Sequence, residues 1–315
     1  MTRLIGVDEA GYGPNLGPLV IAATSWDIPD GLAAEDCDAL VAPWITRDLP
    51  PKADARFWVA DSKQIYKPGG GLPALERHVL PFLSLIDGPP ASITDLWSRV
   101  APESAADRFR EPWYNDDLPL PVAPPQTSLH DRANTLRAQL ASVGITLHDI
   151  RARITSPERF NAILDNVGSK GVILSETTLQ LVASLWPAEF DHPTLVYCDR
   201  HGGRARYADL LQHVAGDHMV RTLSESSELS RYRIGATEAR FAVRSERYLP
   251  VALASMVAKY LRELLMQQFN AWWQLQQPGL APTAGYPLDA KRFWTDTAAT
   301  RARLQLPDHI LWRRK

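Results

Sequence analysis

Cysteine is almost missing from this sequence. Two of 315 residues, Cys37 and Cys198, are too few for a disulfide framework or a zinc ligand set. Long apolar runs are missing too, so no stretch reads as membrane-spanning. The first residues run straight into a strand pattern, so a signal peptide is not expected and a cytoplasmic protein is. Charge of one sign is also lacking: 34 Lys+Arg against 36 Asp+Glu leave a formal net charge of −2. That argues against a globally basic nucleic-acid binder without excluding a local basic face. What remains is ordinary for a soluble chain with a substantial core, 45% hydrophobic and 22% charged.

The hydrophobic pattern alternates between strand-like and helix-like periods. Residues 3–8 and 18–25 read as a strand pair joined by a glycine turn. Pro73 opens a helix with Leu75, Val79, Leu80 and Leu83 on one face, and Pro81 inside it predicts a kink or an early stop. Residues 88–144 are rich in proline, including Pro119, Pro121 and Pro124-Pro125, and read as an insertion holding one helix capped by Ser128. Strand patterns return at Ile150–Ile154 and Thr194–Cys198, with further strands near 218–222 and 231–244. Helices are expected from Pro157, ending near Gly168, then near Ser175, over 205–214, and from Pro250. The order points to a single α/β domain over 1–315, with a helical C-terminal extension over 266–315.

Acidic residues recur where this pattern changes. Asp8-Glu9 ends the first strand, Asp199 ends the strand at 194–198, and Ser245-Glu246 precedes the longest helix. In α/β sheets, sites form where strands end and the chain turns away. Clustered carboxylates repel one another unless cations join them, and carboxylate oxygens are the hard donors that Mg²⁺ and Mn²⁺ prefer. Gly11 and Gly13 follow at once and leave the backbone open to a bulky anion. Asp8 and Glu9 are adjacent, so an ideal strand points them to opposite faces. Both reach one site only if the chain twists there.

Five blocks in order carry a family resemblance. They are Ile5–Gly13 with Gly17-Pro18, then Asp61-Ser62-Lys63, Val196–Asp199, Tyr248 with Val251–Lys259, and Gly285-Tyr286-Pro287 with Asp289. Together they resemble the type 2 ribonucleases H (ribonuclease HII and HIII), of which this chain looks like a divergent member. The resemblance implies a ribonuclease H-like mixed five-stranded sheet flanked by helices. It implies Mg²⁺- or Mn²⁺-dependent endonucleolytic cleavage of RNA in RNA–DNA hybrids, or at ribonucleotides in duplex DNA, leaving a 3′-hydroxyl and a 5′-phosphate. Asp8, Glu9 and Asp199 match its first three acidic positions. Gly11, Gly13, Lys63 and Tyr286 match positions that meet the substrate.

Two residues depart from the family pattern. Ser245 stands where its fourth acidic residue is expected, and Glu246, one place later, is the candidate replacement. Tyr12 stands where arginine is usual, so junction specificity is open; tyrosine can stack or bond a 2′-hydroxyl but lacks a bidentate charge. Arg200, His201, Arg204 and Arg206 form a basic, glycine-containing loop after Asp199, a candidate phosphate clamp. Arg301, Arg303 and Arg313–Lys315 offer a second basic patch. The expected partner is an RNA–DNA hybrid or ribonucleotide-containing duplex, with no membrane and a monomeric protein. The alternatives are a weak or inactive hybrid binder and a related nuclease with another substrate.

Overall fold

The computed structural model describes residues 1–51, 54–66, 71–124, 127–187 and 190–314. Its seven-stranded mixed sheet comprises β1 (Thr2–Ala10), β2 (Leu19–Ile28), β5 (Thr146–Thr155), β6 (Thr194–Asp199), β7 (Arg221–Glu225), β8 (Leu229–Ile234) and β9 (Thr237–Ala242). The short strands β3 (Ile45–Thr46) and β4 (Phe57–Trp58) pair separately. The order in the large sheet is β5-β2-β1-β6-β9-β8-β7. The expected mixed sheet therefore forms its first five places, β5 to β9, and β8 and β7 extend it by a hairpin. β1 pairs in parallel with β6, and β6 with β9, so the three strands end at one edge.

Helices cover both faces. In chain order they are α1 (Ala34–Val41), α2 (Ser62–Ile65), α3 (Gly71–Asp87), α4 (Ile93–Val100), α5 (Leu129–Ser142), α6 (Pro157–Val167), α7 (Lys170–Ala183), α8 (Ala208–Ala215), α9 (Leu249–Gln276), α10 (Pro287–Asp296), α11 (Ala298–Leu304) and α12 (Asp308–Leu311). β1 is buried on both sides, as a central strand flanked by two helical layers must be. Leu4 faces the core shared with α9, while Ile5 and Val7 face the core shared with α7 and α8.

One close approach sets the register of the site. A Cβ on Gly6 would stand 2.3 Å from the Pro250 carbonyl carbon, so only glycine lets the start of α9 lie on β1. Thr24 donates to the Pro250 carbonyl at 2.8 Å from the neighbouring strand. From this crossing, five residues along α9 advance about 7.5 Å. Two residues along β1 advance about 6.6 Å. That brings Ser255 over Asp8.

Four expectations need correction. α3 runs through Pro81 to Asp87 without stopping. Proline leaves the carbonyl four residues earlier without its helical donor, and here Arg132 donates to that Arg77 carbonyl at 2.7 Å. Residues 88–144 are more regular than their prolines suggest. They hold α4, 3-10 turns at Pro102–Arg110 and Pro112–Tyr114, and α5 capped by Ser128; Pro125 lies outside the described residues. They also pack inward, with Trp113 5.2 Å from Phe269 and 5.7 Å from Trp272 between ring centroids. The strand pattern at 231–244 is two strands, β8 and β9, divided by a turn at Gly235. The 266 boundary of the C-terminal extension falls inside the unbroken α9.

Candidate active site

Asp8 lies in β1 and is buried, with 8% of its surface exposed. Its carboxyl is held well above the usual range by burial and then by the Glu9 charge, opposed by a hydrogen bond from Ser255. Ser255 in turn bonds Ser62 at 3.1 Å, which ties α9 to the start of α2. Glu9 is pushed up to about 7, first by burial and then by Asp199, with Lys63 pulling the other way. The charges of the two adjacent side chains act on each other although β1 stays paired through Ala10. The chain therefore does not have to leave the strand to bring them together.

Asp199 ends β6 beside them and is also raised, by burial foremost, while backbone amides of Ser245, Arg200 and Arg244 favour its charged form. Glu246 is half-buried in the 3-10 turn before α9. Burial raises its carboxyl, and Asp199 and Asp61 add to this. Arg47 donates to the Glu246 backbone carbonyl. Lys63 is the cation facing these carboxylates: burial lowers its pKa, but the charges of Asp61, Glu246, Asp8 and Glu9 outweigh that and raise it.

Ser245 is fully buried. Its hydroxyl donates inward to the Cys198 and Ala242 carbonyls at 2.9 and 3.1 Å, and its backbone N–H donates to Asp199 Oδ1 at 2.9 Å. It aims Asp199 and does not present an oxygen to the cluster. Glu246 is the fourth carboxylate that feels the others.

The glycine turn stands on this edge. Gly11 has φ +88°, and a Cβ there would meet the Pro18 carbonyl at 2.6 Å; at Gly13 the corresponding space is open. The buried Arg313 donates to the Gly11 and Pro14 carbonyls from beneath, while Asn15 and the Arg313 backbone pair with each other. Gly285 accepts from the amides of Asn15 and Leu16 at 2.8 and 3.2 Å, which places the half-exposed Tyr286 next to the turn. Tyr12 is partly buried, with the Lys170 ammonium 4.7 Å above its ring centroid.

Other candidates are placed elsewhere. Arg200 donates to the Ser226 carbonyl at 2.7 Å and to that of Ser227, so it holds the β7–β8 turn. His201 is buried against Ser175, and burial pushes it down to about 4, so it adds no charge to the loop. Lys259 pairs with Glu263 at 2.6 Å and lies over Tyr66. The basic C-terminus disperses: Arg301 stacks on Trp294 at 3.5 Å, Arg303 bonds the Gln276 carbonyl, Arg314 pairs with Asp165, and Lys315 lies outside the described residues. Cys198 is buried and its thiol is pushed far up, first by burial. Arg47 and Lys170 were not singled out by sequence, and Arg313 was read only as part of a basic patch. Their links to the site span tens to hundreds of residues and leave no local pattern.

The donor set fits a hard divalent cation: oxygen ligands, mutual repulsion and, among the described residues, the Lys63 ammonium against them. Among the described residues no three of these side chains converge tightly enough to form a ready metal cage. A cavity of about 910 Å³ lies away from them over Phe57, Arg77 and Arg132. No helix among the described residues is long and apolar enough to cross a membrane.

No family model matches the chain, and no curated protein does. Solved structures do. The ribonuclease HII of Archaeoglobus fulgidus, determined in complex with PCNA, is 14% identical with a TM-score of 0.46 over 99% of this chain and 94% of that one. The ribonuclease H2 of Pyrococcus horikoshii is 15% identical, with a TM-score of 0.45 over 98% and 92%. A Bst-RNase HIII in complex with Mn²⁺ is 16% identical, with a TM-score of 0.37 over 99% and 66%. The chain is similar to these type 2 ribonucleases H. Likenesses this distant decide nothing about its activity.

Proposed function

We propose that this protein is a metal-dependent endoribonuclease. It cleaves RNA in RNA–DNA hybrids, or at ribonucleotides in duplex DNA, leaving a 3′-hydroxyl and a 5′-phosphate. The observation that carries the reading is the group of four carboxylates, Asp8, Glu9, Asp199 and Glu246, whose charges act on one another at the shared edge of β1 and β6. Burial without neutralising arginines costs stability, and a charged ligand set of this kind is the standard reason for tolerating it.

These four residues would hold Mg²⁺ or Mn²⁺. Bound there, the metal would supply an activated water and neutralise charge on the phosphate. The protein's own part is positional. Ser255 orients Asp8, and the Ser245 amide orients Asp199. The glycine turn, held from below by Arg313, leaves Gly13 open to a backbone phosphate, and Tyr12 and Tyr286 flank it as sugar or base contacts. Lys63 balances part of the negative charge before substrate arrives.

The test is cleavage by purified protein with Mg²⁺ or Mn²⁺ of three substrates: a full hybrid, a DNA duplex with one ribonucleotide, and an all-DNA duplex. Cutting of either ribose-containing substrate, with the all-DNA duplex left intact, is expected. Three intact substrates would overturn the reading. The inward-turned Ser245 favours one second reading, a hybrid binder with little turnover. Salt-sensitive hybrid binding without cleavage would establish it.

A further inference from the structure

The hairpin that extends the sheet carries an arginine face that continues onto β9, where Glu35 of α1 reaches Arg240. On β8, Ser230, Tyr232 and Ile234 are buried toward α7 and α8, so by strand alternation Arg231 and Arg233 point to the other side. Arg240 of β9 and Arg221 of β7 stand opposite Arg231 and Arg233 in register, and directly opposed residues share a face. Among the described residues, α9 packs on this side of the sheet chiefly over β1, β2 and β6. Arg233 is 53% and Arg231 38% exposed.

The charge here is not balanced. Glu238 accepts from Arg231 at 2.9 Å, Arg233 at 3.0 Å and Arg240 at 2.8 Å. Glu238 thus serves three guanidinium groups, and Glu35 also pairs with Arg240 at 3.5 Å, so two carboxylates face four arginines. Arg221 directly opposite Arg233 adds a like-charge pair, an arrangement that costs stability in a sheet. The patch also has a direction. Arg240 lies two residues, about 7 Å, before Ala242, which pairs with Asp199 at the carboxylate edge. From there the cations run outward across β8 to β7, away from the site, at roughly 5 Å per strand.

We propose that this face, Arg221, Arg231, Arg233 and Arg240, binds the sugar-phosphate backbone of a nucleic-acid duplex, on the flank of the segment that enters the carboxylate site. This rests on the nuclease reading for the identity of the duplex. A polyanion is the occupant that relieves the opposed arginines, and guanidinium forks suit phosphate. An acidic peptide is the competing occupant.

The experiment measures hybrid affinity against salt concentration, using Asp8→Asn protein so that no cleavage intervenes. It compares that background with the same protein carrying R221Q and R233Q. The two substitutions leave Arg231 and Arg240 on Glu238, and thermal unfolding checks the fold. A third protein carries R110Q, which removes a charge from a residue 68% exposed in another part of the chain. Each phosphate contact adds about 0.9 to the slope of log affinity against log salt. Loss of both arginines is expected to reduce the slope by about 2 and low-salt affinity by roughly tenfold, with R110Q unchanged. The effect is expected on a long hybrid and to shrink on one too short to reach beyond the site. An unchanged slope in folded R221Q/R233Q protein would overturn the proposal, as would polyglutamate binding to the parent protein and lost by the pair while hybrid binding stays. Cleavage failure with the slope change intact would sink the nuclease reading alone.

Discussion

Two carboxylate sites on one sheet behave in opposite ways. At the β1–β6 edge, Glu9 is pushed up to about 7 by burial and by Asp199. At the start of β9, Glu238 also loses water, yet Arg231, Arg240 and Arg233 bring it down to about 2. Burial alone therefore does not separate them; the partners do. Glu238 is internally satisfied and acts as a structural anchor. Among the described residues, the edge cluster sets the Lys63 ammonium against Asp8, Glu9, Asp61, Asp199 and Glu246. On the proposed reading, the acidic edge and the arginine face would meet different parts of one polyanionic substrate.

The largest expected effect comes from breaking the acidic side. Asp199→Asn should lower kcat on the order of a thousandfold, about 4 kcal/mol of transition-state stabilisation. It should also raise the melting temperature in the absence of metal, because one repelling charge is gone. Steady-state cleavage and thermal unfolding on the same preparation read both. A structural acid would behave the other way, with stability and activity falling together.

Glu238→Gln is the matching change on the basic side. It removes the carboxylate that three arginines share, and should cost about 2 kcal/mol in urea unfolding, less than a fully buried pair because the arginines reach solvent. The two sites also part in their pH dependence. Glu238 has a depressed pKa, so its stabilisation is present above about 4.5 and is lost as pH falls through about 2. Glu9 has a raised pKa, so the folded state is favoured below about 4.5 and loses that contribution as pH rises through about 7. Unfolding free energy measured from pH 4 to pH 8 without metal should therefore decline less steeply in Glu9→Gln than in the parent. An identical decline would remove the distinction between the sites.

How much of this was legible beforehand follows from the range of each interaction. Acids at the ends of apolar strands can be read because strand ends are local, so Asp8, Glu9 and Asp199 were found with the sheet that carries them. The early stop allowed at Pro81 does not occur, and the Arg77 carbonyl freed there is taken by Arg132, 51 residues from the proline. The arginine face was missed because Arg221 and Arg233 become neighbours only once the hairpin forms, and the basic residues near Asp199 drew attention instead. His201 sits among those arginines in sequence but is buried in space. Sequence neighbours reveal which charges are present; only packing reveals which are already satisfied.

Ser245 is where that distinction is finest, and its expected effects are smallest. Ser245→Ala removes the hydroxyl bonded to the Cys198 and Ala242 carbonyls but keeps the backbone N–H that holds Asp199. A cost of about 1–2 kcal/mol in stability is expected, with kcat reduced less than roughly tenfold because the positioning amide survives. Ser245→Asp adds a carboxylate where the backbone packs to zero exposure, so it should destabilise without gaining activity. Glu246→Gln should instead weaken Mn²⁺ binding, read by calorimetry, because its carboxyl already responds to Asp199 and Asp61. Were Ser245→Asp to bind Mn²⁺ more tightly and Glu246→Gln to change nothing, the fourth ligand position would be 245, and the acidic edge would be an incomplete site.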